Sequence, residues 1–212
     1  MTARQTYTEL TIKEDGQKEG HFSFRRLDFD KDVNMLYEWM HQKHIAPFWK
    51  LDLPMEDFKE WVRKSVEAEH KDCFIGTYEG KPVCYVIAYR IKEDPIKDYY
   101  DHQSGDLGMH LLIGDRSYLN KEDGVRIVRA MILFLFDHYG AKRIVGEPDI
   151  RNRIVIPVLK RLGGDVEGRV QLPGKRAALI TGEQSKVMKT LQEDGIHTIF
   201  HSRLSPVTKG IV

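Results

Sequence analysis

Cysteine is scarce. The 212 residues hold only Cys73 and Cys84, which excludes a disulfide framework, and their apolar, strand-like settings read as buried free thiols. Long hydrophobic runs are missing too. No stretch reaches the roughly 18 apolar residues that a membrane helix requires. The polar, charged segment 1–20 has no apolar centre of signal-peptide length, so the expectation is a soluble, cytoplasmic chain with no membrane contact. Neither sign of charge is in excess. Lys and Arg number 33 against 32 Asp and Glu, leaving a formal charge of +1. A broad nucleic-acid surface needs a concentrated basic face, so no nucleic-acid partner is expected. Glycine periods, low-complexity blocks and internal repeats are also absent. With 41% hydrophobic residues, that excludes a fibre and a disordered chain and leaves material for a sizeable core.

What is present alternates between strand and helix. Residues 1–20 read as a strand with a bend at Asp15-Gly16, and His21 to Leu27, with Phe22 and Phe24 on one side, as a second strand. Asp30 is the expected N-cap of an amphipathic helix carrying Val33, Leu36, Tyr37 and Met40. Pro47 breaks that pattern and places Phe48-Trp49 in a loop. A second helix starts near Pro54, with Phe58, Trp61, Val62 and Val66 on one face. Cys73 to Tyr78 and Pro82 to Arg90 form a hairpin around Glu79-Gly80. A charged loop, Lys92 to Ser104, leads to a buried strand over Gly105 to Gly114. The clearest helical period runs from Val125 to Tyr139 and stops at Gly140. Arg143 to Glu147 is a short strand, Pro148 to Asn152 a turn, and Ile154 to Leu162 a helix. Val166 to Leu172 and Arg176 to Thr181 close the order as a hairpin around Pro173-Gly174. The sum is one α/β domain with a central mixed, twisted sheet flanked by helices. The boundaries are a domain over 1–182 and an unassigned polar tail over 183–212.

Three segments could carry chemistry. His110 interrupts the apolar strand Gly108-Met109-His110-Leu111-Leu112-Ile113-Gly114, and histidine exchanges protons near neutrality; the structural alternative is a histidine bonded to backbone. Glu147 and Asp149 flank Pro148 at the C-terminal end of a short strand, where α/β proteins build sites; the alternative is that Asp149 caps a helix. The loop from Gly114 to Gly124 opens a long helix, whose free N–H groups are able to hold a phosphate. It matches no glycine-rich fingerprint, and an ordinary cap would also account for it. His41 and His44 lie three apart, but no partner ligands accompany them, so no metal is expected.

Together these segments resemble the GNAT acyltransferase superfamily, and within it the siderophore-biosynthesis branch: the aerobactin and alcaligin type of hydroxylysine or hydroxydiamine acetyltransferases and the mycobactin lysine acyltransferase. The resemblance runs from about Phe24 to Ile180. It is carried by Phe24-Arg25-Arg26-Leu27 leading into Leu36-Tyr37-Glu38-Trp39-Met40, by Ala46-Pro47-Phe48-Trp49, by the His110 strand, by Glu147-Pro148-Asp149-Ile150-Arg151-Asn152, and by Leu172-Pro173-Gly174-Lys175-Arg176-Ala177-Ala178-Leu179. It implies a single GNAT-type domain whose strands ending at Gly114 and Glu147 splay apart around an acyl-CoA, typically acetyl-CoA. The pantetheine amides would pair near Leu112. The pyrophosphate would rest on Asn120, Lys121, Gly124 and Val125, with Asn152 a further cofactor contact. The branch's catalytic histidine and aspartate map to His110 and Asp149, and Trp49 is taken as a substrate contact.

The implied reaction is acyl transfer to the nitrogen of an N-hydroxylated lysine or short diamine, with His110 as general base and Asp149 positioning the substrate. A long-chain transfer to a lysine amine, from acyl-CoA or an acyl-carrier protein, is an alternative. A non-catalytic binding module is an alternative of another class. Two departures from the superfamily pattern stand out. The phosphate loop, usually Arg/Gln-x-x-Gly-x-Gly/Ala, here falls on Leu119, Glu122 and Gly124. At about 6 Å and an effective dielectric near 20, each of Glu122 and Asp123 would oppose a phosphate by a few kcal/mol before screening, with Lys121, Arg126 and Arg129 as offsetting cations. The superfamily's thiolate-protonating tyrosine falls on Leu159.

Overall fold

The computed structural model describes residues 7–15 and 20–203. Nine strands and six helices follow in the order β1 (Tyr7–Glu14), β2 (Gly20–Arg26), α1 (Phe29–Met40), α2 (Ala46–Trp49), α3 (Met55–Glu67), β3 (Lys71–Tyr78), β4 (Lys81–Arg90), β5 (Asp106–Ile113), α4 (Asp123–Tyr139), β6 (Arg143–Gly146), α5 (Val155–Arg161), β7 (Asp165–Leu172), β8 (Lys175–Glu183), α6 (Gln184–Glu193) and β9 (Ile196–Arg203). They form one sheet in the order β7-β8-β6-β5-β4-β3-β2-β1-β9. Its described pairs are antiparallel except β5 with β6. No helix is long and apolar enough to cross a membrane among the described residues.

Helices cover both faces. On one, α4 buries Ile127, Met131, Phe134 and Leu135 against Phe24, Phe74 and Leu107, with Phe24 stacked on Phe134 at 4.5 Å between ring centroids. On the other, α1 and α3 bury Leu36, Met40, Phe58 and Val62 against Ile75, Tyr85 and Ile87. The period-two pattern of β4 is masked because both faces are covered, so Val83 to Tyr89 is buried throughout. Glu79 and Gly80 both take positive φ, 49° and 76°, the geometry of a tight hairpin turn.

Several sequence expectations change. The N-cap of α1 is Asp28 rather than Asp30, and Asp32 reaches back to accept from the Asp28 N–H at 2.8 Å. Phe48-Trp49 is not in a loop but ends the single turn of α2, after which Lys50 turns left-handed at φ 54°. The charged loop holds two 3₁₀ turns, Ile91–Glu93 and Pro95–Tyr99. The segment left unassigned from 183 folds into α6 and β9. β9 extends the sheet beyond β1, and Val187 and Leu191 of α6 join the core. Gly16 of the expected bend and residues 204–212 lie outside the described residues.

Candidate active site

The site is where β5 and β6 part. They pair over only three residues each, Asp106–Gly108 with Arg143–Val145. At the base, Arg143 Nε and Nη2 donate to the two Asp106 oxygens at 2.7 and 2.8 Å. Tyr100 and the Gln103 N–H also donate to Asp106, each at 2.9 Å. Burial pushes the Asp106 carboxyl up, but these donors outweigh it and hold it below its ordinary 3.8. Past this clasp β6 ends at Gly146, and among the described residues Met109–Ile113 pairs with β4 alone. One edge of β5 is therefore open to hydrogen bonding. The strands diverge because the Pro148–Asn152 turn carries the chain toward β8, with Asp149 bridged to Ala177 and the Ala178 N–H donating to the Pro148 carbonyl at 2.9 Å.

His110 stands on the open stretch of β5, its side chain 36% exposed. Its Nδ1 lies 3.2 Å from Glu147 Oε1. The Tyr89 hydroxyl donates to Glu147 Oε2 at 2.8 Å, and the Tyr89 ring stacks on the imidazole at 4.8 Å. Lys175 Nζ donates to the Glu147 carbonyl at 2.7 Å and stands 3.6 Å from Oε1. Burial and the adjacent Glu147 carboxylate keep the Tyr89 phenol far above its ordinary range, so it always donates. A carboxylate facing Nδ1 at that distance favours a proton on Nδ1 over a lone pair, which leaves Nε2, on the side away from Glu147, to act as the base. This stack needs Gly108: a Cβ there would lie 2.1 Å from the Tyr89 ring.

Asp149 is buried and chelated by its near neighbour. Arg151 donates from its backbone N–H and Nε to Oδ1, both at 2.9 Å, and from Nη2 to Oδ2 at 2.7 Å. That hydrogen bonding holds the Asp149 carboxyl down at about 2, so it is a fixed anion. The capping alternative falls to Asn152, whose Oδ1 accepts from the N–H groups of Ile154 and Val155 at 3.2 and 3.0 Å.

Two adjoining cavities meet at this point. A larger one of about 300 Å³ is lined by Trp49, Trp61, His110, Glu147, Asp149 and Lys175, among others. A narrower, mostly apolar one of about 80 Å³ runs along β5 toward the start of α4, lined by Phe48, Leu112, Leu119, Asn120, Gly124 and Val128, among others. Phe48, Trp49, Leu111, Asn152 and Val155 line both.

The fold therefore brings together His110, Asp149, Trp49 and Asn152 at one cavity and Leu112, Asn120 and Gly124 along the other. Lys121 is exposed and Val125 is buried in the core; neither is among the cleft linings. Of the two cations expected to offset the acidic loop, Arg126 pairs with Asp123 at 3.9 Å as well as with Glu14 of β1, while Arg129 pairs with Glu14. Leu159 lines the larger cavity. Tyr89, Lys175 and the role of Glu147 were not legible in the sequence. The Glu-Pro-Asp spacing pointed at Glu147, but nothing local marks Tyr89, and Lys175 lies in a resemblance segment that assigned it no role. No metal-capable group of three or more His, Cys, Asp or Glu exists among the described residues.

Comparison with known proteins fits this geometry. The chain is 31% identical over 159 residues to N-hydroxyputrescine acetyltransferase of Acinetobacter baumannii, covering 74% of this chain and 76% of that protein. It is 29% identical over 149 residues to lysine N-acyltransferase MbtK of Mycobacterium tuberculosis, covering 70% and 71%. It is 24% identical over 163 residues to N(6)-hydroxylysine O-acetyltransferase of Escherichia coli, where it covers 76% of this chain and spans about half, 52%, of the relative. Among solved structures, an uncharacterized protein (bh2621) from Bacillus halodurans superposes with a TM-score of 0.78 at 35% identity, covering 83% of this chain and 91% of that one. The aminoglycoside acetyltransferase AAC(6')-Ib, solved with paromomycin and acetyl-CoA, shares the fold with a TM-score of 0.69 at 24% identity over 79% of this chain and 96% of that one. Residues 28–172 match the acetyltransferase (GNAT) domain family, and the chain belongs to the GNAT acetyltransferases.

Proposed function

We propose that this acetyltransferase makes hydroxamates for a siderophore, moving an acetyl or other short acyl group from CoA to the nitrogen of an N-hydroxylated lysine or short diamine. The observation that carries the reading is the imidazole of His110, backed by Glu147 and Tyr89, at the mouth of an open strand edge and beside the buried anion Asp149. The named relatives supply the acceptor class: hydroxyputrescine and hydroxylysine are both hydroxylated amines.

Each residue has a definable task. The attacking nitrogen must be neutral and must shed a proton once bonded. Nε2 of His110 receives that proton, a role that typically contributes about 10²–10⁴-fold. Glu147 fixes the tautomer and steadies the imidazolium. Asp149 stays ionised and so accepts a hydrogen bond from the acceptor's N–H or O–H without competing as a base. Hydroxylamines are largely neutral near pH 7, so a weak base suits them better than it suits a protonated alkylamine. The thioester supplies an activated carbonyl. The apolar passage along β5, with its open backbone edge, matches the pantetheine arm in both polarity and hydrogen-bonding pattern.

The test is thiol release from acetyl-CoA with N-hydroxyputrescine, N6-hydroxylysine and their unhydroxylated amines. Hydroxylated acceptors should react faster, and His110→Ala and Asp149→Ala should each lower turnover at least about tenfold. Equal rates for lysine and N6-hydroxylysine would reject the hydroxamate reading, and full activity in either variant would remove that residue from the mechanism.

A further inference from the structure

A CoA thioester has two ends, and this cleft suits them unequally. The acyl-pantetheine end meets an apolar passage and an unpaired strand edge. The nucleotide end would meet the loop that opens α4, where a diphosphate needs free backbone N–H groups. At Leu119, Glu122, Asp123 and Gly124 those groups are already engaged. Asn120 Oδ1 accepts from the N–H of Glu122 at 2.9 Å and of Asp123 at 2.8 Å. The Gly124 N–H donates to the Asn120 carbonyl at 3.3 Å and the Leu119 N–H to the Arg116 carbonyl at 3.0 Å. The Asn120 amide is locked in turn, donating to Asp123 Oδ2 at 2.7 Å and to the Ser117 carbonyl at 3.3 Å.

The charges point the same way. Glu122 and Asp123 sit at the positive end of the α4 dipole, where a phosphate would otherwise gain most. Arg126, the cation one turn into the helix, is already shared between Glu14 at 3.3 Å and Asp123 at 3.9 Å. The side chain of Asn120 thus fills the place of a phosphate oxygen, and two carboxylates repel the real one.

Resting on the donor chemistry proposed above, we infer that the donor is recognised through its acyl-pantetheine arm, with the 3′-phospho-ADP portion contributing little, so that S-acyl pantetheine thioesters serve nearly as well as acyl-CoA. The chemistry is unchanged by the truncation. The thioester C–S bond breaks, the C–N bond of the hydroxamate forms, and the proton lost by nitrogen ends on the released pantetheine sulfur.

The experiment measures affinity by calorimetry for CoA, pantetheine and 3′,5′-ADP, alongside turnover with acetyl-CoA and S-acetylpantetheine. Pantetheine should bind within tenfold of CoA, and 3′,5′-ADP should neither bind nor compete. Two free N–H groups on a diphosphate would instead add about 10²-fold or more in favour of CoA. A preference for CoA above tenfold, competition by 3′,5′-ADP, or no binding of pantetheine would each overturn the inference. Asn120→Ala, which frees the Glu122 and Asp123 N–H groups, should raise the CoA-to-pantetheine affinity ratio. An unchanged ratio would count against Asn120 as the cause and sink the argument. If pantetheine binds as expected and no hydroxylated amine is acylated from either donor, the acceptor reading fails while this inference stands.

Discussion

Tyr89→Phe isolates the hydrogen bond that holds the back of the site. The phenol is fully buried and donates at 2.8 Å to Glu147, itself only 6% exposed. Phenylalanine keeps the ring, its stacking on His110 and its fit over Gly108, and removes one oxygen. Glu147 Oε2 would then be left in a site with little access to water. A hydrogen bond to a charged group is worth about 1.5–3 kcal/mol, and a buried acceptor left unsatisfied costs a similar amount. For a chain of this size each kcal/mol moves Tm by roughly 2–4 °C, so a fall of about 3–12 °C is expected. Turnover should fall about tenfold as Glu147 loses its fixed orientation and the imidazole with it. Thermal unfolding and thiol release on the same preparations read both effects. If the pair acts as a unit, Tyr89→Phe and Glu147→Gln combined will differ from their sum by at least about 0.5 kcal/mol. A Tm within 1 °C of the parent (about 0.3 kcal/mol), full turnover and strict additivity would together refute the reasoning.

Gly108→Ala attacks the same stack from below. A Cβ 2.1 Å from the Tyr89 ring must displace it, at a cost of about 1–3 kcal/mol, so Gly108→Ala should lower the unfolding temperature, and the same substitution should cost less in a Tyr89→Leu background; an equal cost in both backgrounds would discount the steric account. Asp106→Asn breaks the clasp beneath the diverging strands and should destabilise by about 3–5 kcal/mol, as for a buried pair deprived of one partner, measured by urea unfolding. Because Asp106 is held below its ordinary 3.8 in the folded chain, its contribution is present above pH 4 and is lost as the pH falls through the folded value; the parent's stability should therefore drop more steeply than the variant's below pH 4, and parallel curves would exclude it. Cys73 and Cys84 are buried, and burial pushes the Cys73 thiol up to about 11 and Cys84 up as well. Neither should react with a thiol reagent until the chain unfolds, and rapid labelling of the native protein would contradict their placement.

Much of the architecture was legible because it is written in local periodicity. The α4 stripe, the Glu79-Gly80 turn and the apolar run around His110 specify helix, hairpin and strand from neighbours alone, and Gly140 ends α4 where expected, in the left-handed conformation. The one-turn helix α2 was not legible, because its hydrogen bonds back to Ile45 and Ala46 outweigh a proline that reads as a breaker. Nor were α6 and β9: their polar composition hides the few apolar contacts, Val187, Leu191 and Ile196, that seat them on the core.

The candidate site divides along the same line. His110 and Asp149 stand out in the sequence as chemistry-bearing residues at strand ends, and the motif order that carries them is a property of the chain alone. Their environment is not. Tyr89 belongs to β4, Glu147 to the end of β6 and Lys175 to β8, so their meeting at one imidazole depends on which strands become neighbours and on where β5 and β6 cease to pair. The carboxylate of Glu147 beside His110, the permanent charge on Asp149 and the self-capped loop of Asn120 all follow from distances of about 3 Å in the folded chain. Tertiary packing decides them, because hydrogen bonds and ion pairs act only over that range.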